Sequence, residues 1–221
     1  LYGREEELAK LHNLYAKLCG LSFQGEENSE AQSPVVIIDG YSGSGKSSLV
    51  EWFLDQLKSP TKTDGTKEFL LLKGKFEDLQ TSDPLSTIAN AFKGLCLHLL
   101  DEEQRQTLDR VRTALHESLG TDVYALAPVI PNIKELMGKT EESISMSFSS
   151  LDTGWHRLQY LVQTFLQVLC NDNCPIIMVL DDIHWADPAS ITLLSALLRD
   201  TSLKMFMFIG TVRGEELGVQ H

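Results

Sequence analysis

The chain has 221 residues, of which 43% are hydrophobic, and a formal net charge of −12. That length supports one full-sized domain with a real core, and the apolar content is ordinary for a globular chain. So acidic a surface repels a phosphate backbone, and no Lys/Arg cluster offsets it, so direct binding of nucleic acid is not expected. No apolar run is long enough to span a bilayer, so no membrane partner is expected, and the first residues do not read as a signal peptide. The chain begins at Leu1 rather than Met, which points to a piece of a longer protein. The four cysteines, Cys19, Cys96, Cys170 and Cys174, match no zinc spacing. Read as buried, reduced thiols, they suggest an intracellular, cytoplasmic setting.

In chain order, Leu8, Leu11, Leu14, Tyr15 and Leu18 are spaced as one face of a helix over 4–18. Glu5, Glu6 and Glu7 suit its positive N-terminal end. "SFQGEENSEAQSP" reads as a polar linker. Val35 to Asp39 suits a buried strand, and from Lys46 the period changes to a helical stripe of Leu49, Val50, Phe53, Leu54 and Leu57. "SPTKTDGTKE" is a loop and "FLLLKGKF", 69–76, a second strand. Stripes at Leu85–Leu99 and Leu108–Leu119 predict two helices, and "APVIPNIKELMG" an irregular stretch before a short one. "GKTEESISMSFSS" reads as a loop, and Leu158–Leu169 as a helix ending near "NDNCP". "IIMVLDD", 176–182, is a third strand. Asp187 fits a helix N-cap with Pro188 at the first helical position, and a fourth strand covers 205–212. Strands apolar on both faces, alternating with helices, predict an α/β fold with a parallel sheet between helical layers.

Gly40-Tyr41-Ser42-Gly43-Ser44-Gly45-Lys46-Ser47 fits G-x-x-x-x-G-K-[ST], between a strand and a helix as that motif requires. Gly40, Gly43 and Gly45 let the backbone wrap closely. The amides of residues 43–48, including those of Ser44 and Ser48, then turn toward a phosphate chain at a helix N-terminus. Lys46 would neutralise the outer phosphates and Ser47 would offer its hydroxyl to Mg²⁺. The plain alternative is a glycine-rich turn with a solvated lysine. Asp181 and Asp182 end an apolar strand, where two carboxylates are costly without a cation nearby. Asp181 would hold Mg²⁺ through water, and Asp182 would polarise an attacking water. The alternative is a strand running into an acidic loop.

"LYGREEELAKL", "GYSGSGKSS", "VLDDIHWADPASITLL" and "FIGTVRGEEL" together resemble the NTPase module of STAND-type signalling proteins, within the AAA+/ASCE group of P-loop ATPases. The resemblance runs from Gly3 to about Leu217. It implies the three-layer fold of that group, with sheet order 69–75, 176–181, 205–212, 35–39 (2-3-4-1). It also implies one domain over 1–221 with a helical insertion at 83–138, and ATP and Mg²⁺ as cofactors. A fifth strand and a helical lid, usual in the family, are not seen in this sequence. Gly3 and Arg4 match a motif that lies near adenine and ribose, although Arg4 reads equally as a surface arginine. Arg213 stands where the family carries a residue that senses the γ-phosphate; a solvated strand-end arginine is the alternative. His184 and Trp185 read as loop and packing residues, and Arg199 is a weak candidate for an arginine finger. No N-K-x-D is present to read guanine, so ATP is favoured. Asp182 is one methylene shorter than the Glu of motor-type relatives, which suggests slow turnover. The implied function is a slow ATPase switch inside a larger signalling protein, with other domains of the parent chain as partners and self-assembly on activation. A nucleotide-binding scaffold without hydrolysis and an origin-recognition-like ATPase on DNA are the alternatives.

Overall fold

A computed structural model of the chain describes residues 3–20, 33–58, 69–78, 83–138, 151–170 and 174–214. The predicted loops at 59–68 and 139–150, most of the linker after Leu21, and "EEL" after Gly214 lie outside them.

Four strands, β1 (Val35–Asp39), β2 (Leu70–Lys75), β3 (Ile176–Asp181) and β4 (Phe206–Val212), form one sheet in the order β1-β4-β3-β2. All three pairings are parallel. This is the predicted order. The helices are α1 (Glu5–Leu18), α2 (Lys46–Lys58), α3 (Ser86–Leu99), α4 (Arg105–Leu119), α5 (Ile133–Leu136), α6 (Leu151–Cys170) and α7 (Pro188–Leu198). Short 3₁₀ turns cover Glu102–Gln104, Gly120–Leu126 and Ile183–Trp185.

The central strands explain the layering. Successive side chains of a strand point to opposite faces. On one face Ile177, Val179, Met207 and Ile209 join Leu8, Leu11, Tyr15, Leu49, Phe53 and Leu57 of α1 and α2. On the other, Ile176, Met178, Leu180, Phe206 and Phe208 join the stripes of α3, α4, α6 and α7. Both faces are therefore dry, and β3 and β4 read as continuous apolar runs. Edge-to-face pairs knit each layer: Tyr15 on Phe53 at 6.3 Å, and Phe92 on Phe165 at 5.9 Å. β1 is an edge of the four-stranded sheet, and its Val35 and Ile37 remain exposed. A fifth strand beyond it is not among the described residues.

Two differences from the sequence reading have local causes. β3 ends at Asp181, one residue early, because Asp182 takes a left-handed φ of +55° that breaks the ladder. α6 begins at Leu151, well before its apolar stripe; Gly154 and the lack of helical apolar spacing over 151–157 hide that first part from the sequence pattern. No disulfide joins the four cysteines. Burial pushes the thiols of Cys96 and Cys170 up to about 12, so neither ionises near neutral pH.

Asp187 caps α7 as predicted. Its carboxylate accepts from the Ser190 amide at 2.9 Å and the Ser190 hydroxyl at 2.5 Å, with Pro188 beginning the helix. It also accepts from the amide of Leu85 at 3.4 Å, which ties the start of α3 to the start of α7. Burial works to raise this carboxyl, but the bonds from Ser190 and Leu85 outweigh it and hold the group below its ordinary value of 3.8. We expect Asp187→Ala to lose about 1 kcal/mol, as measured by denaturant unfolding at neutral pH. A lowered carboxyl stabilises the fold above its unfolded pKa, and that stability disappears as pH falls through the folded value. The gap between wild type and variant should therefore be constant above about pH 5 and narrow below pH 4.

Candidate functional site

In a parallel sheet the carboxyl ends of all strands lie on one edge, where α/β folds bind ligands. Here the register sets Lys75 opposite Asp181, Asp39 opposite Val212, and Leu180 opposite Gly210. The loop from Gly40 to Gly45 leaves β1 at this edge and runs into α2.

The loop's glycines have separate reasons. Gly43 and Gly45 sit at φ +76° and +82°, where a side chain would be strained. A Cβ on Gly40 would lie 2.9 Å from Ser44 Oγ and fill the inside of the loop. The Ser44 hydroxyl is buried there without a hydrogen-bond partner among the described residues. Lys46 is only 7% exposed, and its ammonium donates to the carbonyls of Gly40 at 2.7 Å and Tyr41 at 2.9 Å. Those neutral acceptors take two of its three donors without neutralising its charge. The first turn of α2 carries no acidic residue to offset the helix dipole. Ser42 is exposed in the turn, and Ser48 is exposed on the first turn of α2. The concave loop thus offers an unsatisfied hydroxyl, an uncompensated cation and a free helix N-terminus. A phosphate chain fits all three.

The second acidic motif closes on the first. Ser47 Oγ donates to Asp181 Oδ2 at 2.9 Å. The other oxygen of Asp181 accepts a short bond from the hydroxyl of Thr211, which itself accepts from the amide of Asp182 at 3.0 Å. Among the described residues no group of three or more His, Cys, Asp or Glu could hold a metal by itself. Ser47 and Asp181 are the residues that could hold Mg²⁺ here, its shell being completed by phosphate oxygens and water.

Asp182 points a different way. Its carboxylate, 13% exposed, lies 3.5 Å from Arg213 Nε, 3.9 Å from Lys75 Nζ and 4.0 Å from His184 Nε2. A nearly buried carboxylate needs such company. Gly210 makes room beneath, since a Cβ there would meet Ile183 Cδ1 at 2.2 Å. Trp185, read as a packing anchor, is 37% exposed instead, because the 3₁₀ turn presents its ring outward, tilted against His184 at 5.3 Å.

Arg4 reaches the loop itself: Nη2 donates to the Ser44 carbonyl at 2.7 Å, and Nη1 lies 3.4 Å from Glu7. Gly3, exposed at φ +82°, precedes it. Arg199 is exposed at the C-terminal end of α7, away from the Asp187 end that adjoins the site. Lys75 and Thr211 were not singled out in the sequence. Lys75 is a charge ending an apolar strand and Thr211 a lone hydroxyl inside one, and only the strand register brings them to the two acids.

The chain belongs to the AAA ATPase domain family, whose model matches residues 1–209. That family implies nucleotide binding, usually with Mg²⁺. The chain is also 26% identical over 198 residues to the hybrid signal transduction histidine kinase G of Dictyostelium discoideum. The match covers 90% of this chain but spans only 5% of that relative's length. No helix among the described residues is long and apolar enough to cross a membrane.

The Arg4 contact has a measurable consequence. In Arg4→Ala the Ser44 carbonyl loses a charged donor, and amide exchange at Gly43–Lys46 should quicken while exchange in β3 and β4 stays unchanged. Hydrogen-exchange mass spectrometry of the ligand-free chain reads both.

Proposed function

We propose that this chain is the ATP-binding, slowly ATP-hydrolysing switch module of a larger signalling protein. The observation that carries the reading is the 2.9 Å bond between Ser47 and Asp181, which joins the glycine loop to the acidic strand end in one site. In the proposed roles, Gly40, Ser42, Gly43, Ser44, Gly45 and Ser48 wrap the phosphates through their backbone. Lys46 turns from the carbonyls of Gly40 and Tyr41 toward the outer phosphates. Ser47 and Asp181 would hold Mg²⁺, which when bound draws charge from the phosphate oxygens. Asp182 orients the attacking water and accepts its proton, and Arg213 faces the charge that develops on the terminal phosphate. Arg4, with Gly3 preceding it, holds the loop from the side of α1, a role that the Arg4 bond to Ser44 supports better than direct base reading. ATP rather than GTP follows from the family and from the missing N-K-x-D.

The histidine kinase relative supports a setting among other signalling domains, which are then the partners, together with self-assembly. We infer in the same way that 1–221 acts as one domain in which 83–138 covers a face of the sheet. Its stripes share a core with β2 and β3. A second reading, nucleotide binding without turnover, is favoured by one observation: Asp182 is already engaged by Arg213 and Lys75.

Thermal unfolding tests the site. Ligand at about a hundred times its Kd adds ~2.7 kcal/mol, a rise of roughly 5–10 °C in Tm. We expect that rise with Mg²⁺-ATP and Mg²⁺-ADP, less with GTP, and none in Lys46→Ala. Asp182→Asn separates the two readings: turnover should fall on the order of 10²-fold or more with the ATP-induced Tm shift retained. Release of phosphate at the wild-type rate by Asp182→Asn would remove Asp182 from the chemistry.

A further inference from the structure

We propose that Asp187 is a latch between the nucleotide site and the helical insertion, holding the start of α3 until nucleotide moves the turn that follows Asp182. The proposal rests on the ATP reading above.

Among the described residues two other than glycine hold a left-handed backbone, Asp182 at φ +55° and Leu85 at φ +67°. Such a conformation is costly and persists only where the surroundings impose it. The two lie far apart in the chain, yet one carboxylate connects them. After Asp182 the turn is closed by its own backbone. The Trp185 amide donates to the Asp182 carbonyl at 3.0 Å, and the Ala186 amide donates to the Ile183 carbonyl at 2.8 Å. Asp187 follows at once as the cap of α7. The Leu85 amide donates to Asp187 Oδ2 at 3.4 Å. A stiff turn therefore carries any movement of Asp182 to Asp187, and from there to the residue that opens α3.

The bonds at Asp187 are unequal. The Ser190 amide and hydroxyl approach to 2.9 and 2.5 Å, whereas the Leu85 amide stands at 3.4 Å, beyond the usual range of an N–H donor. The cap is firm, and the tie to α3 is the part that gives way. On its other side the first turn of α3 lies close on β2. A Cβ on Gly74 would meet Thr87 Cγ2 at 2.9 Å, and the Thr87 hydroxyl donates to the Lys75 carbonyl at 3.5 Å. Release at Leu85 would free one end of this turn while Thr87 keeps the helix on the sheet. Leu85 is 7% exposed and shares a core with α3, α4 and α6, so the freed residue touches the helical layer rather than solvent.

Charge opens the latch. Asp182 keeps its strained turn in the company of Arg213 at 3.5 Å and Lys75 at 3.9 Å. In the proposed site a terminal phosphate competes for Arg213. With that partner drawn off, the surroundings that impose the left-handed turn weaken, the turn relaxes and Leu85 is let go. Coupling of this kind is reciprocal, so removing the latch eases nucleotide binding.

The test uses the 221-residue chain as wild type, Asp187→Asn and Asp187→Ser. Both variants keep an oxygen for the Ser190 amide, since Asn and Ser are good N-caps. Neither keeps the second carboxylate oxygen that receives Leu85. The probes are amide exchange, and calorimetric titration with Mg²⁺ and a non-hydrolysable ATP analogue. In wild type the nucleotide should quicken exchange of the Leu85 amide. In the variants that amide should exchange about tenfold faster before nucleotide is added, with α7 unchanged, and nucleotide should add nothing. Their Kd for the nucleotide should fall about fivefold or more, a gain that a merely structural cap would not give. A wild-type or higher Kd in both variants would overturn the latch. Exchange quickened across α7 as much as at Leu85 would assign the effect to the cap and overturn it too. A wild type that binds the nucleotide with Leu85 exchange unchanged would overturn the latch and leave the ATP reading standing. A folded wild type that shows no binding would overturn the ATP reading and this inference with it.

Discussion

The carboxylate of Asp181 is the point on which the site depends. It stands at the end of a strand whose preceding five residues are fully buried, where an unassisted charge could not remain. Hydroxyls from α2 and β4 reach it from two sides and tie to it two elements that apolar packing already holds on the sheet. The N-terminus of α2 is thereby anchored over the carboxyl edge of the sheet. The glycine loop must then curl inward to connect β1 with that helix. The shape of the loop is in this sense a consequence of where one carboxylate finds its donors.

Around this anchor the charges of an acidic chain are sorted. With a net charge of −12 the surface at large repels anions, yet Lys46 and Arg4 lie on the glycine loop, and Lys75 and Arg213 flank Asp182. The two neighbouring acids escape mutual repulsion because Asp182 turns left-handed and joins the cations. The same pairs give that acid two possible employments. On the proposed reading, Asp182 is quiet while Arg213 and Lys75 hold it, and phosphate charge drawing Arg213 away would free it to act on water; slow chemistry would then follow from that exchange of partners.

The edge of the sheet is also mechanically connected to the helices beyond it. Leu85 and Asp182 are the two non-glycine residues with positive φ among those described. Asp187, a few residues after Asp182, receives the amide of Leu85 and caps α7. A short path thus runs from the second acid through a 3₁₀ turn and a helix cap to Leu85, the residue just before α3. Gly74 presses the same region closed, since a Cβ there would meet Thr87 Cγ2 at 2.9 Å. Packing this tight leaves little slack between the site and the helical layer.

Much of this was written in the residues. Apolar runs alternating with stripes of period 3.6 are local signals, so all four strands and the longer helices could be placed from them. The glycine loop and the cap at Asp187 are equally local, because turns and caps are made by side chains acting on their own backbone. The parallel sheet followed from strands that are apolar on both faces, and its order from family resemblance rather than from spacing. What the sequence could not express was register: which residue of one strand stands level with which residue of another. That is a property of pairing between segments far apart in the chain. It decided that Lys75 and Thr211 would meet the two acids, while the docking of α1 brought Arg4 to the loop and a 3₁₀ turn left Trp185 exposed. The chemistry-bearing residues were legible because their motifs are contiguous. The residues that aim them were not, because they reach the site only through the sheet.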